Sequence, residues 1–168
     1  MAVEKVRIEG LEGVMKTLRE LPPEIVSKRG GPVRTALRKA SKIMVNEMKS
    51  NVQQIIDTPN ISGQNVSTDL LIKNIVTTRN SKMRGKGERY VARVRRKKYP
   101  KTSPDAKTVT TSQVGALLEQ GTEKRRPMPW ARPAFDAKKG EVIPLFVSEL
   151  RKNLNRITKK LAKQNGVA

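Results

Sequence analysis

The 168-residue chain has no cysteine and no histidine. Without cysteine there is no disulfide framework, and zinc sites of the Cys/His kind are excluded. Ser-His-Asp and Cys-His nucleophilic catalysis lack their base. Aromatic residues make up 3%, so the core must be aliphatic, built on Leu, Ile, Val, Met and Ala. No apolar run approaches membrane-spanning length. Met1 to Gly10 alternates charged and apolar residues, unlike a signal peptide, and the protein is expected to be made in the cytosol and to act from there. Acidic residues are also scarce: 15 Asp and Glu stand against 36 Lys and Arg, for a net charge of +21. Such an excess repels itself in a compact monomer and is best tolerated beside a polyanion or an acidic partner. Nucleic acid, an anionic membrane and an acidic protein surface all qualify.

The length fits a single domain over 1–168. Val3 to Glu9 reads as a short strand. Leu11, Val14, Met15, Leu18 and Leu21 then recur at helical spacing, up to Pro22-Pro23. Gly30-Gly31-Pro32 marks a second start, with proline well placed in a first turn. Val33, Leu37, Ala40, Met44, Met48, Val52 and Ile55 follow at steps of three and four, which predicts a helix to about Ile56. Ile61 to Asp69 reads as a loop. Leu70 to Thr78 and Glu88 to Arg96 read as two strands of an antiparallel hairpin. In the second, Tyr90, Ala92 and Val94 alternate with Arg89, Arg93 and Arg95. Lys97 to Lys107 reads as an exposed loop. Val109 to Glu119 reads as a short helix burying Val114, Leu117 and Leu118.

Pro127, Pro129 and Pro133 enforce an extended path, and Pro133 is suited to opening the last helix. Ile143, Val147, Leu150, Leu154, Ile157 and Leu161 form its narrow apolar seam. Gly140 and Pro144 are expected to bend or restart it near its beginning, and residues from Gln164 onward to fray. The order β-α-α-β-β-α-α predicts an α+β fold: a small antiparallel sheet packed against two long helices, with a basic hairpin and a long C-terminal helix.

The hairpin and its flank carry the densest charge. Residues 79–107 hold twelve Lys and Arg against Glu88 and Asp105, a net +10. The candidate contacts for phosphates or an acidic partner are Arg79, Lys82, Arg84, Lys86, Arg93, Arg95, Arg96, Lys97 and Lys98. The bland alternative is a solvated loop. Base-specific readout is not expected, because no recognition helix is evident and Tyr90 and Tyr99 are too few for a stacking platform. Gly85-Lys86-Gly87 lacks the later glycine and GK[ST] ending of a phosphate loop. The C-terminal helix is also basic and reads as a packing helix with a solvated face, or as a seam against a neighbouring subunit. A single Asp105 in a Pro/Ser/Lys loop cannot hold magnesium, so no catalytic residue, metal or cofactor is expected, and no enzymatic activity.

Two stretches carry a family likeness: Leu117-Leu118-Glu119-Gln120-Gly121-Thr122, and Pro127-Met128-Pro129-Trp130-Ala131-Arg132-Pro133-Ala134-Phe135-Asp136. They match an "E-x-G-T" turn followed by "P-x-P-aromatic-x-R-P-A-[FW]" and a long helix. That pattern resembles the siphophage tail-completion, or head–tail joining, proteins related to the minor tail protein Z of lambda. Gly10 to Val14, Leu18 to Pro22 and Ala36 to Ala40 are similar to other parts of that family. The basic stretch from Arg79 to Lys101 departs from it, being longer and more positive.

The resemblance implies a virion protein of the tail or neck. Such proteins form rings, usually of six subunits, beside the tail terminator, the tube and the neck, and DNA passes through the lumen without sequence recognition. Glu119, Gly121, Thr122, Pro129, Trp130, Arg132, Pro133, Ala134 and Phe135 then become structural or interface positions. Gly121 permits a tight turn. Trp130 and Phe135, two of only five aromatics, should anchor the segment in the core or an interface. Arg132 is placed to pair with Glu119 across the turn. The competing reading is a stand-alone, nonspecific nucleic-acid-binding protein.

Overall fold

The computed structural model describes residues 31–58, 69–80, 88–101, 103–123 and 126–164. Expectations for the strand at Val3 to Glu9, the helix at Leu11 to Leu21, residues 61–68, and the frayed tail beyond Gln164 fall outside them. The described elements are α1 (Pro32–Asp57), α2 (Leu70–Asn74), β1 (Ile75–Arg79), β2 (Tyr90–Val94), α3 (Thr111–Gln120) and α4 (Ala131–Gln164). The fold is α+β, with a two-stranded antiparallel sheet packed against helices and a long helix toward each end.

The chain divides into two compact units, 1–40 with 140–168, and 41–139. In the first, the opening turns of α1 and the later turns of α4 pack through Ala36, Leu150 and Leu154, flanked by Val33, Phe146 and Val147. Lys39 Nζ lies 2.6 Å from Glu149 Oε2, and Asn153 donates to the Pro32 carbonyl at 3.3 Å. The expected seam of α4 is present in part: Leu150 and Leu154 are buried, while Ile143 and Ile157 are half-buried. Pro144 lies inside α4 without restarting it. Proline there leaves the carbonyl of Gly140 without its helical donor, and Gly140 is exposed, so water can take that place.

In the second unit, Val45 and Val52 of α1 meet Leu71, Ile75 and Trp130. Ala92 and Val94 of β2 and Val114 and Leu118 of α3 pack around this centre. The sheet pairs Ile75 with Val94 and Arg79 with Tyr90. Tyr90, Ala92 and Val94 are half-buried while Arg93 and Arg95 are exposed, as the alternation predicts. Ser41 Oγ on α1 lies 2.6 Å from Thr77 Oγ1 on β1.

Leu70 to Thr78 is not one strand. Its first five residues form the single turn α2, entered from Asp69 in the left-handed region at φ 55°, which aspartate tolerates better than most residues. Asn74 closes the turn by donating to the Leu70 carbonyl at 2.8 Å. The reason lies in Lys73. A strand through Leu71 and Ile75, both buried, puts Lys73 on the same inward face. The helical turn rotates it out to solvent, where it sits exposed.

Candidate functional site: a capped corner and a basic strand

The corner between α3 and α4 is built from the likeness block. Thr110 opens α3 with a capping box, its hydroxyl and amide exchanging contacts with Gln113. At the other end Gly121 takes φ 78°, and its amide returns to the Leu117 carbonyl at 2.8 Å. Met128 then donates to the Leu118 carbonyl at 2.8 Å, which brings the proline segment back along α3.

Glu119 terminates that return. Its carboxylate accepts from the amides of Trp130 and Ala131 at 2.8 Å and of Arg132 at 3.1 Å. These are donors that no intrahelical carbonyl reaches at the start of a helix, so a side chain of α3 caps α4. Burial pushes the Glu119 carboxyl up, but the three amides, with Arg132 beside them, outweigh it and hold it below its ordinary value. The expected pair with Arg132 exists at 3.8 Å, but Arg132 is 83% exposed and the pair contributes little.

Trp130 is buried, and its indole N–H donates to the Gly115 carbonyl at 2.9 Å. A Cβ on Gly115 would lie 3.3 Å from Trp130 Cζ2, so the missing side chain makes room for the ring. The Trp130 carbonyl accepts from Asn51 Nδ2 of α1 at 3.0 Å. Ala134 is fully buried. Pro133 lies in the first turn of α4, two residues after the helix begins. Thr122, Pro129 and Pro133 are exposed.

One expectation fails here: Leu117 is 49% exposed rather than buried. Phe135 is 57% exposed, so of the two places expected for it, core or interface, the core is excluded. The inward faces are already filled by Ala134 on α4 and by Gly115, with Val114 and Leu118, on α3. The capping role of Glu119 and the parts of Asn51, Gly115 and Thr111 carry no local signal in the sequence.

The basic strand is the second feature. Arg79 does not offer a free cation: its guanidinium grips Glu88, with Nε donating to Oε2 at 2.6 Å. Lys82, Arg84 and Lys86 lie outside the described residues. Arg93, Arg95, Arg96, Lys97 and Lys98 are all exposed, and among the described residues none has a carboxylate partner within ion-pair distance.

Their backbone is firmly held. The fully buried Thr111 donates its hydroxyl to the Arg95 carbonyl and accepts from the Lys97 amide at 2.9 Å. Its own amide donates to the Lys97 carbonyl, and Tyr99 donates to Val109, both at 2.9 Å. The cations are thus exposed side chains on a main chain tied down at Arg95, Lys97 and Tyr99. Such a surface can hold phosphates or carboxylates electrostatically.

Among the described residues no three acidic side chains converge on a metal position, and no helix is long and apolar enough to cross a membrane. No family model, curated protein or solved structure matches this chain.

Proposed function

We propose that the protein is a structural subunit of a long-tailed bacteriophage virion: a tail-completion, head–tail joining component of a ring at the top of the tail. The observation that carries this reading is the Glu119–Trp130 corner. Three residues of the E-x-G-T and P-x-P-aromatic-x-R-P-A pattern work together there: Glu119 caps α4, Gly121 turns the chain and Trp130 buries its indole against Gly115. That shared corner supports reading the pattern as one unit. In this reading the ring is hexameric, its neighbours are the tail terminator, the tube and the neck, and DNA passes through its lumen. The protein is made in the host cytoplasm, needs no cofactor and turns over no substrate.

Negative-stain microscopy and sedimentation of the full chain, alone and with tail tubes, test the proposal. Rings seated at the tube end, and antibody labelling at the head-proximal end of intact tails, are the expected result. A chain that stays monomeric beside tubes and is missing from particles overturns it.

The exposed cations favour one second reading, a stand-alone nonspecific nucleic-acid binder. Filter binding over a salt series separates the two. Autonomous binding predicts tight association, with a log–log salt slope of about −0.9 per phosphate neutralised. A connector subunit binds free DNA weakly.

A further inference from the structure

The outer edge of β2 has no main-chain partner among the described residues. The Asn80 amide donates to the Arg89 carbonyl, and the Arg95 amide to the Asn74 carbonyl, both at 2.8 Å. With Ile75 opposite Val94, this places the hydrogen-bonded pairs at Val76/Arg93 and Thr78/Val91. The N–H and C=O groups of Tyr90, Ala92 and Val94 therefore point away from β1. None of these six groups meets a hydrogen-bond partner among the described residues. Further along, Lys98 bridges Thr110 through the bonds of its neighbours, Lys97 and Tyr99. The Lys98 main chain consequently also faces outward.

An unpaired edge is a template for another strand, and charged side chains on it select what can approach. Here Arg93, Arg95, Arg96, Lys97 and Lys98 stand exposed along that strand and its exit. A second copy of this edge is equally basic and is repelled. Nucleic acid answers the charge, but phosphates only accept hydrogen bonds, so the outward carbonyls gain nothing from them. An extended polypeptide supplies donors and acceptors in alternation, and acidic side chains on it meet the cations.

We infer that the outer edge of β2 receives an extended acidic segment of another protein as a third strand. This stands independently of the ring assignment, because it rests on the register and the charge alone.

The test uses the isotopically labelled full chain and a short synthetic peptide alternating glutamate with threonine. The controls are the same peptide N-methylated at alternate residues, and a DNA duplex. The expected result is slowed amide exchange at Tyr90, Ala92 and Val94 on adding the peptide. The methylated peptide should bind about tenfold more weakly or worse, since it loses several main-chain hydrogen bonds. Equal binding of the two peptides overturns the proposal, because charge alone then explains the contact. So does an absence of peptide binding, or DNA protecting the same three amides.

Discussion

The Glu119 carboxylate of α3 and the Trp130 amide that precedes α4 lie 2.8 Å apart, so an acidic side chain in the last turn of one helix caps the start of the next. The same carboxylate serves Ala131 and Arg132, which makes it a three-donor cap. Replacing a capping side chain by alanine costs about 0.5–2 kcal/mol. Glu119→Ala should fall at the upper end, because the site is mostly enclosed. Glu119→Gln should lose less, since its carbonyl still accepts. Urea denaturation of the three proteins at neutral pH gives the order.

The same residue sets a pH dependence. The folded state holds the Glu119 carboxyl below its ordinary value. Its contribution is then complete above the unfolded value, about 4.3 for glutamate. It is lost as pH falls through the lower folded value. The stability gap between the parent and Glu119→Gln should therefore be full at neutral pH and shrink progressively below about pH 4.3. Denaturation midpoints across that range measure it, and a gap that stays constant into acid contradicts the capping geometry.

Much of this was legible beforehand, and the failures share a cause. The long helix from Pro32 follows from an apolar repeat at steps of three and four. The β2 alternation follows from Tyr90, Ala92 and Val94. Both are local patterns, which periodicity reads directly. The Glu119 cap joins residues eleven apart across a proline-bearing return, so it exists only once the corner has closed. Phe135 and Leu117 are apolar and sit near the inward face, yet a helix buries only a stripe. Which neighbour fills that stripe, Ala134 or Phe135, is decided by packing. The α2 turn was readable in principle, since Lys73 does not belong on an inward strand face.

Trp130 is the largest side chain of the second unit's core, and it combines burial with a directed hydrogen bond. Trp130→Ala should cost about 3–5 kcal/mol, the usual range for deleting a large core aromatic. Trp130→Phe keeps most of the packing and loses the indole bond to the Gly115 carbonyl, which lies within α3 and keeps its helical donor, at about 0.5–1.5 kcal/mol. Gly115→Leu attacks the same contact from the other side and should destabilise by overpacking. If Trp130→Ala matches the parent in both unfolding and tail joining, the corner is not the anchor described here.

Thr111 offers a cleaner test of how the basic strand is held. Its hydroxyl bonds to the Arg95 carbonyl and the Lys97 amide in a fully buried position. Thr111→Val keeps the shape and removes both bonds, so it should cost about 1–3 kcal/mol, whereas Thr111→Ser should retain most of the stability. Hydrogen exchange at Lys97 should quicken in the valine variant. An unchanged rate means that the Lys97 amide is protected by something other than this hydroxyl.

Arg93, Arg95 and Arg96 separate function from folding. All three are exposed and unpaired with acids among the described residues, and surface changes of this kind usually stay within about 0.5 kcal/mol each. The triple change to glutamate should therefore leave the denaturation midpoint nearly unmoved, and relieving self-repulsion should offset part of any loss. What it reverses is the field presented to a polyanion or an acidic partner. Under the tail-subunit function proposed above, tail joining or DNA delivery should fall sharply in a phage carrying the variant while the protein remains folded. Full infectivity with a normal unfolding curve would show that these arginines only keep the surface hydrated and the strand edge from self-pairing, and the charge would then need no partner at all.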